Sequence, residues 1–213
     1  MNDYEIWSNE TKIERTIDAL EKNNMNGFYA KTREDLINKI TELVDEGSMV
    51  TCGGSETLFK TGVIDHLRSG RYDFLDRYKQ GITQEEVTNI FKQAFLSDAY
   101  FVSSNAITED GFIYNVDGNG NRAAAILYGP EKVIIICGAN KIVKDLDEAI
   151  KRNRALAAPM NAKRLNKKTP CTKVGYCMDC KSPERICNEY TLIKRQRSKD
   201  RIHVIFLNEN LGF

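Results

Sequence analysis

Apolar positions along the chain follow two periods. At helical spacing, Ile13, Ile17 and Leu20 share a face over 10–24. Leu36, Ile37, Ile40, Leu43 and Val44 do the same over 33–46, with Gly47 placed to end that helix. A third helical pattern carries Leu58, Phe59, Val63, Ile64 and Leu67. A fourth starts at the capping box Thr83-Gln84-Glu85-Glu86 and buries Val87, Ile90, Phe91, Ala94 and Phe95. A fifth spans 141–156 with Ile142, Leu146, Ala149 and Ile150 inward. Between them lie short apolar runs read as strands: 27–30, 49–52, 72–75, 100–102, 112–116, 132–138 and 202–207. The run Lys132-Val133-Ile134-Ile135-Ile136-Cys137-Gly138 does not alternate. Continuous β-branched runs belong to strands covered on both faces, so the sheet is expected to be largely parallel and flanked by helices. Helix and strand alternate throughout, which gives an α/β fold.

Two loops at expected strand ends stand out. Met49-Val50-Thr51-Cys52 runs into Gly53-Gly54-Ser55-Glu56-Thr57 and then a helix. Glycines allow close approach of a ligand, and N–H groups at a helix start favour an anion. The motif has neither the Gly-Lys-Ser/Thr ending of a nucleotide P-loop nor the three-glycine dinucleotide spacing. A plain strand–helix turn with Ser55 as N-cap is the alternative. The second stretch is 99–126. There Ser103, Ser104, Asn105, Thr108, Glu109 and Asp110 form one polar turn, and Asp117, Gly118, Asn119, Gly120, Asn121 and Arg122 another. Such loops carry chemistry in α/β proteins, though Asp-Gly and Asn-Gly are also ordinary turn dipeptides whose aspartates cap their own backbone.

Length, charge and cysteine usage narrow the classes. The 213 residues suit one domain over 1–213, with the cysteine-rich segment 170–188 as a loop within it. Lys+Arg 31 against Asp+Glu 30 gives no global field for nucleic acid or an anionic membrane. The basic segment 194–199 reads as a solvated turn. No run approaches the ~20 apolar residues of a membrane span, and Met1 to Glu10 is polar and acidic, unlike a signal peptide. A cytoplasmic protein is expected. Two histidines, His66 and His203, disfavour a histidine-rich metal hydrolase. In a reducing compartment the six cysteines are not expected to form structural disulfides. Cys52 and Cys137 fall in or beside core strands and are expected to be buried thiols. Cys171, Cys177, Cys180 and Cys187 cluster in a loop too short to have its own core. Four thiolates could hold an iron–sulfur cluster or zinc, although the spacing fits neither zinc ribbons nor ferredoxins; a free-thiol loop is the alternative.

The segments Cys52-Gly53-Gly54-Ser55, Ser104-Asn105-Ala106-Ile107-Thr108-Glu109-Asp110-Gly111 and Asn115-Val116-Asp117-Gly118-Asn119-Gly120-Asn121-Arg122, with the late cysteine loop, resemble a lactate-utilisation (LUD) domain protein over roughly residues 10–210. The resemblance implies a Rossmann-like α/β fold similar to the NagB/ribose-phosphate isomerase/CoA-transferase superfamily, with a smaller flanking lobe. It implies a link to bacterial oxidation of lactate to pyruvate, as an oxidoreductase component acting with iron–sulfur partner proteins. On that basis Gly53, Gly54, Ser55 and Thr57 would donate to a small anionic metabolite. Asn105, Thr108 and Asn121 would orient it, and Arg122 would clamp its carboxylate or phosphate. Glu109, Asp110 and Asp117 are the candidate general bases or nucleophiles. Glu56 or Glu109 could match the glutamate nucleophile of CoA transferases. The four clustered cysteines would carry an iron–sulfur cluster, with zinc as the alternative. Two other functions compete: an isomerase, transferase or ligand-binding protein of the same fold, and a non-catalytic redox sensor. A homo-oligomer is compatible with all three.

Overall fold

The computed structural model describes residues 2–213. The chain begins α1 (Asp3–Lys22), β1 (Asn26–Ala30), α2 (Arg33–Leu43), β2 (Met49–Cys52), α3 (Glu56–Lys60), α4 (Val63–Leu67), β3 (Asp73–Leu75) and α5 (Gln84–Gln93). It continues β4 (Ala99–Val102), β5 (Ala106–Thr108), β6 (Ile113–Asp117), α6 (Asn121–Leu127), β7 (Lys132–Gly138) and β8 (Ile142–Val143). Then follow α7 (Leu146–Arg152), α8 (Ala158–Arg164), α9 (Cys171–Val174), β9 (Glu189–Ile193) and β10 (Ile202–Leu207).

Six strands form one sheet in the order β1-β10-β7-β4-β2-β3, every neighbouring pair parallel. The continuous apolar run in β7 is explained by its place near the middle, between β10 and β4. Its side chains alternate between two cores. Val133, Ile135 and Cys137 point with Tyr100, Val102 and Phe206 toward α1, α6 and a second sheet. Ile134 and Ile136 point with Phe101, Ile205 and Leu207 toward α2, α3 and α4. The second sheet, β8-β5-β6-β9, is mixed: β5–β8 is parallel, β5–β6 and β6–β9 antiparallel. Cys52 and Cys137 are buried, and burial pushes the Cys52 thiol up to about 12.

Several element boundaries differ from the sequence pattern, each for a local reason. The first helix starts at Asp3, seven residues early, because Asn2 and Glu5 form a reciprocal capping box. The second ends at Leu43: Val44 turns extended and buries its side chain in the core. Gly47 (φ +79) belongs to the following turn, where its N–H donates to the Arg71 carbonyl. The expected α5 face is only half-covered apart from Ala94, and the Arg77 guanidinium lies 4.6 Å over the Phe91 ring. The expected helix over 141–156 is instead a strand, β8, then α7 capped by Asp145, whose carboxylate accepts from the Glu148 N–H. A π-helical turn, Asn153–Ala157, joins α7 to α8. It lies just before Pro159, which has no N–H to donate and crowds the carbonyl four residues back. The first polar turn of 99–126 is interrupted by β5, and the second opens α6.

A polar cleft at three adjacent strand ends

The carboxyl ends of β2, β4 and β7, adjacent in the sheet, open onto one cavity of about 560 Å³. Strand ends at the centre of a parallel sheet are the usual ligand crevice of α/β folds, because the connecting loops splay apart there. From β2 come Gly54, Ser55, Glu56 and Thr57; from β4, Ser103, Ser104 and Asn105; from the 3₁₀ turn after β7, Lys141. The facing wall consists of the β6–α6 turn, including Asp117, Asn121 and Arg122, together with Asn161 and Arg164 of α8. The stretch 183–186 and Asn188, all within the cysteine-rich segment, completes it.

The cleft thus gathers Gly54, Ser55, Thr57, Asn105, Asp117, Asn121 and Arg122 from the residues singled out in the sequence. It does not gather Thr108, Glu109 and Asp110. These sit at the β5–β6 turn against α1, where Glu109 pairs with Arg15 at 2.8 Å and the Asp110 carbonyl accepts from Asn23 Nδ2. The Thr108 hydroxyl accepts from the Phe112 N–H and closes the turn. Gly111, φ +77, lets that turn lie on α1: a Cβ there would come within 2.7 Å of the Ala19 and Leu20 backbone. Gly53 is a packing glycine under the cleft, where a Cβ would meet Tyr100 Oη at 2.8 Å. Ser55 is the N-cap of α3 as well as a lining residue.

Arg122 is engaged inside the protein. Its Nε donates to Asp117 Oδ1 at 2.9 Å, Nη1 to the Ser103 carbonyl and Asn115 Oδ1, and Nη2 to Asn105 Oδ1 and the Val116 carbonyl. Every guanidinium N–H therefore has an acceptor. Asp117 spends its other oxygen on the Ala123 N–H at 2.7 Å. Asn105 Oδ1 also accepts from the Val116 N–H. This buried network joins the ends of β4 and β6 to the start of α6. In this conformation Arg122 has no donor left to clamp a ligand.

A buried cation in the cleft lining is Lys141, which sequence periodicity assigned to a helix start. Its residue is 3% exposed, and Nζ donates to Ser103 Oγ at 2.9 Å and Thr57 Oγ1 at 3.2 Å. Among the described residues it has no carboxylate partner. Burial pushes it down to about 8; Arg152, Arg122 and Lys60 add to the lowering, while Cys137 opposes it. Arg152 is a second half-buried cation, donating to the Asn140 and Asn105 carbonyls with its remaining terminal nitrogen buried and unpartnered. The signal for Lys141 was its position, three residues past the end of the most apolar strand. At the rim, Arg164 pairs with Glu56, and Arg77, Lys167 and Arg185 add further positive charge.

The cysteines do not form a cage in this conformation. Cys171 Sγ lies 3.2 Å from the Thr169 hydroxyl, Cys177 Sγ accepts from the Asp179 N–H, and Cys187 Sγ accepts from Arg185. Among the described residues no three His, Cys, Asp or Glu side chains are arranged to hold a metal ion. The donor set as folded does not fit a four-thiolate centre. Arg185 ties this segment together through the Cys180 and Cys187 carbonyls and also lines the cleft. No helix of the described residues is long and apolar enough to cross a membrane.

The chain is similar in structure to a DUF162 family protein from Deinococcus radiodurans, with a TM-score of 0.54 at 13% identity, covering 93% of this chain and 98% of that one. Weaker similarities are to the tetrameric eIF2B-beta2-delta2 complex from C. thermophilum (TM-score 0.42, 16% identity, 82% and 55% covered). A Pseudomonas malonate decarboxylase hetero-tetramer in complex with malonate follows (TM-score 0.34, 13% identity, 84% and 39% covered). None of the curated proteins matches the chain. The LUD domain matches residues 13–207, nearly the whole sequence and every lining residue of the cleft named above. The chain therefore belongs to the LUD-domain family, with a lactate-utilisation-associated role at the level of that family.

Proposed function

We propose that the cleft binds a small carboxylate of the lactate and pyruvate class, and that the protein serves lactate oxidation as a substrate-binding component working with iron–sulfur partner proteins. The observation that carries this reading is Lys141: a buried ammonium held by two hydroxyls, without a counter-ion. A buried charge lacking a partner is unfavourable by several kcal/mol, and a bound carboxylate would supply the missing charge. Asp117 and Arg122 hold the wall in place, while Thr57 and Ser103 orient the lysine. The rim cations Arg77, Lys167 and Arg185 support a second reading, a phosphorylated metabolite of the isomerase or transferase type.

Thermal unfolding in lactate, pyruvate, inorganic phosphate and neutral lactamide separates these. A ligand at 100 times its Kd stabilises by about 2.7 kcal/mol, which corresponds to roughly 5–10 °C for a chain of this size. Lactate or pyruvate is expected to raise the midpoint and lactamide to leave it unchanged. A larger response to phosphate favours the second reading. No response to any anion, or an equal response to lactamide, removes both. An iron–sulfur cluster or zinc on Cys171, Cys177, Cys180 and Cys187 would require the loop to draw its thiols together, and no step is assigned to it. Iron, sulfide and zinc content of anaerobically purified protein, compared with a Cys177→Ser/Cys180→Ser variant, tests it: equal metal content in the two would rule out these ligands.

A further inference from the structure

We infer that Lys141 is a covalent site: its amine forms an imine with the ketone of a bound 2-oxo acid. The inference rests on the carboxylate-binding reading above and goes beyond it by naming a reacting atom and a substrate class.

Three features of the site point this way. The first is confinement. Lys141 is the lysine at the cleft floor, held by Ser103 Oγ at 2.9 Å and Thr57 Oγ1 at 3.2 Å, with no carboxylate to keep it charged. An ammonium has three donors, so two hydroxyl partners leave one position free. The second is the sign of its surroundings. Arg152, Arg122 and Lys60 all act on the amine, and of the cleft's acids Asp117 is paired with Arg122 and Glu56 with Arg164. Cys137 lies 3.7 Å from Ser103 Oγ and its thiol is buried. Burial and the cations bring the amine to about 8, so roughly one molecule in ten carries it neutral at pH 7. Desolvated lysines beside other cations are the usual nucleophiles toward carbonyls. The third is the division of labour. The positive charge in the cleft favours an anionic head group, and the lone pair of the neutral amine can add to an electrophilic carbon. A molecule offering both in a few atoms is a 2-oxo acid.

The step balances without any further reactant. The amine lone pair of Lys141 attacks the ketone carbon, forming the N–C bond as the C=O π pair moves to oxygen. The oxygen takes up two protons, both ultimately from the amine, and departs as water. Ser103 and Thr57, already hydrogen-bonded to the nitrogen, are placed to pass those protons on. What remains is the imine of Lys141, protonated or neutral, with the carboxylate still in the cleft.

The test is reductive trapping with pyruvate and cyanoborohydride. One adduct per chain is expected, heavier by the mass of pyruvic acid less one oxygen atom. It should map to the tryptic peptide with a missed cleavage at Lys141, and excess lactate, which has no ketone, should suppress it. Lys141→Arg should lose the adduct. A stabilising response to pyruvate in the wild-type protein without an adduct at Lys141 overturns the imine and leaves the carboxylate cleft standing. Adduct spread over exposed lysines, unaffected by lactate, also overturns it. Absence of both adduct and thermal response overturns the imine and the cleft together.

Discussion

Replacing Lys141 by methionine should make the protein more stable and less responsive. Methionine has nearly the same length and no charge, so it removes the buried ammonium without opening a large cavity. The lysine falls from 10.5 to about 8 in the folded chain. At 1.36 kcal/mol per unit this is a penalty of about 3 kcal/mol on the folded state, order of magnitude, at any pH where the amine is protonated in both states. Loss of the bonds to Ser103 and Thr57 offsets about 1 kcal/mol of the gain. Thr57 Oγ1 keeps the Leu211 carbonyl as a partner. A net gain of about 2 kcal/mol raises the midpoint by roughly 4–8 °C at neutral pH. The pH dependence gives the sharper check. Between about 8 and 10.5 the unfolded chain binds a proton that the folded chain has released. Wild-type stability therefore rises with pH across that window, and the advantage of the variant shrinks. Urea unfolding of both proteins at neutral pH and near pH 10 measures it. A variant less stable than wild type at neutral pH, or an advantage that does not diminish at pH 10, would refute the uncompensated buried charge. The same variant should show no stabilisation by lactate or pyruvate.

Two further predictions concern the scaffold. Arg122→Ala leaves Asp117 buried without its ion pair and takes a donor from Asn105, Asn115 and two carbonyls; removing one partner of such a pair costs about 3–5 kcal/mol. A urea midpoint close to wild type would mean that Arg122 is free for ligand after all. His203 is buried against Phe28, and burial lowers its pKa below 6.5, assisted by Lys132 and opposed by its bond to the Asp200 carbonyl. The stabilisation from keeping it neutral is complete above 6.5 and is lost as pH falls from there through the folded value, since the unfolded chain then binds the extra proton. His203→Gln should flatten the stability profile in that window, and an unchanged slope would assign it to other groups.

The alternating pattern and the unbroken run 132–138 were sufficient for an α/β chain with a parallel sheet, because burial on both faces leaves a direct mark on composition. The position of Gly53-Gly54-Ser55 at a strand end was legible for the same reason, as was the burial of Cys52 and Cys137. What each polar residue does was not legible. Asp117 and Arg122 look like a base and a clamp in sequence; only the packing of β4 against β6 and α6 shows their hydrogen bonds used up by each other and by Asn105 and Asn115. Glu109 and Asp110 lie on the same stretch as Asp117, but β5 turns them to the far side, against α1. Lys141 is one of many lysines in sequence, and its meaning comes from residues far from it, Thr57 and Ser103, and from the lack of an acid beside it. Local periodicity records which side of an element meets the core. The partner of a buried charge is set by chain segments that meet only in three dimensions, and so only the tertiary structure decided which cation lies buried in the cleft lining.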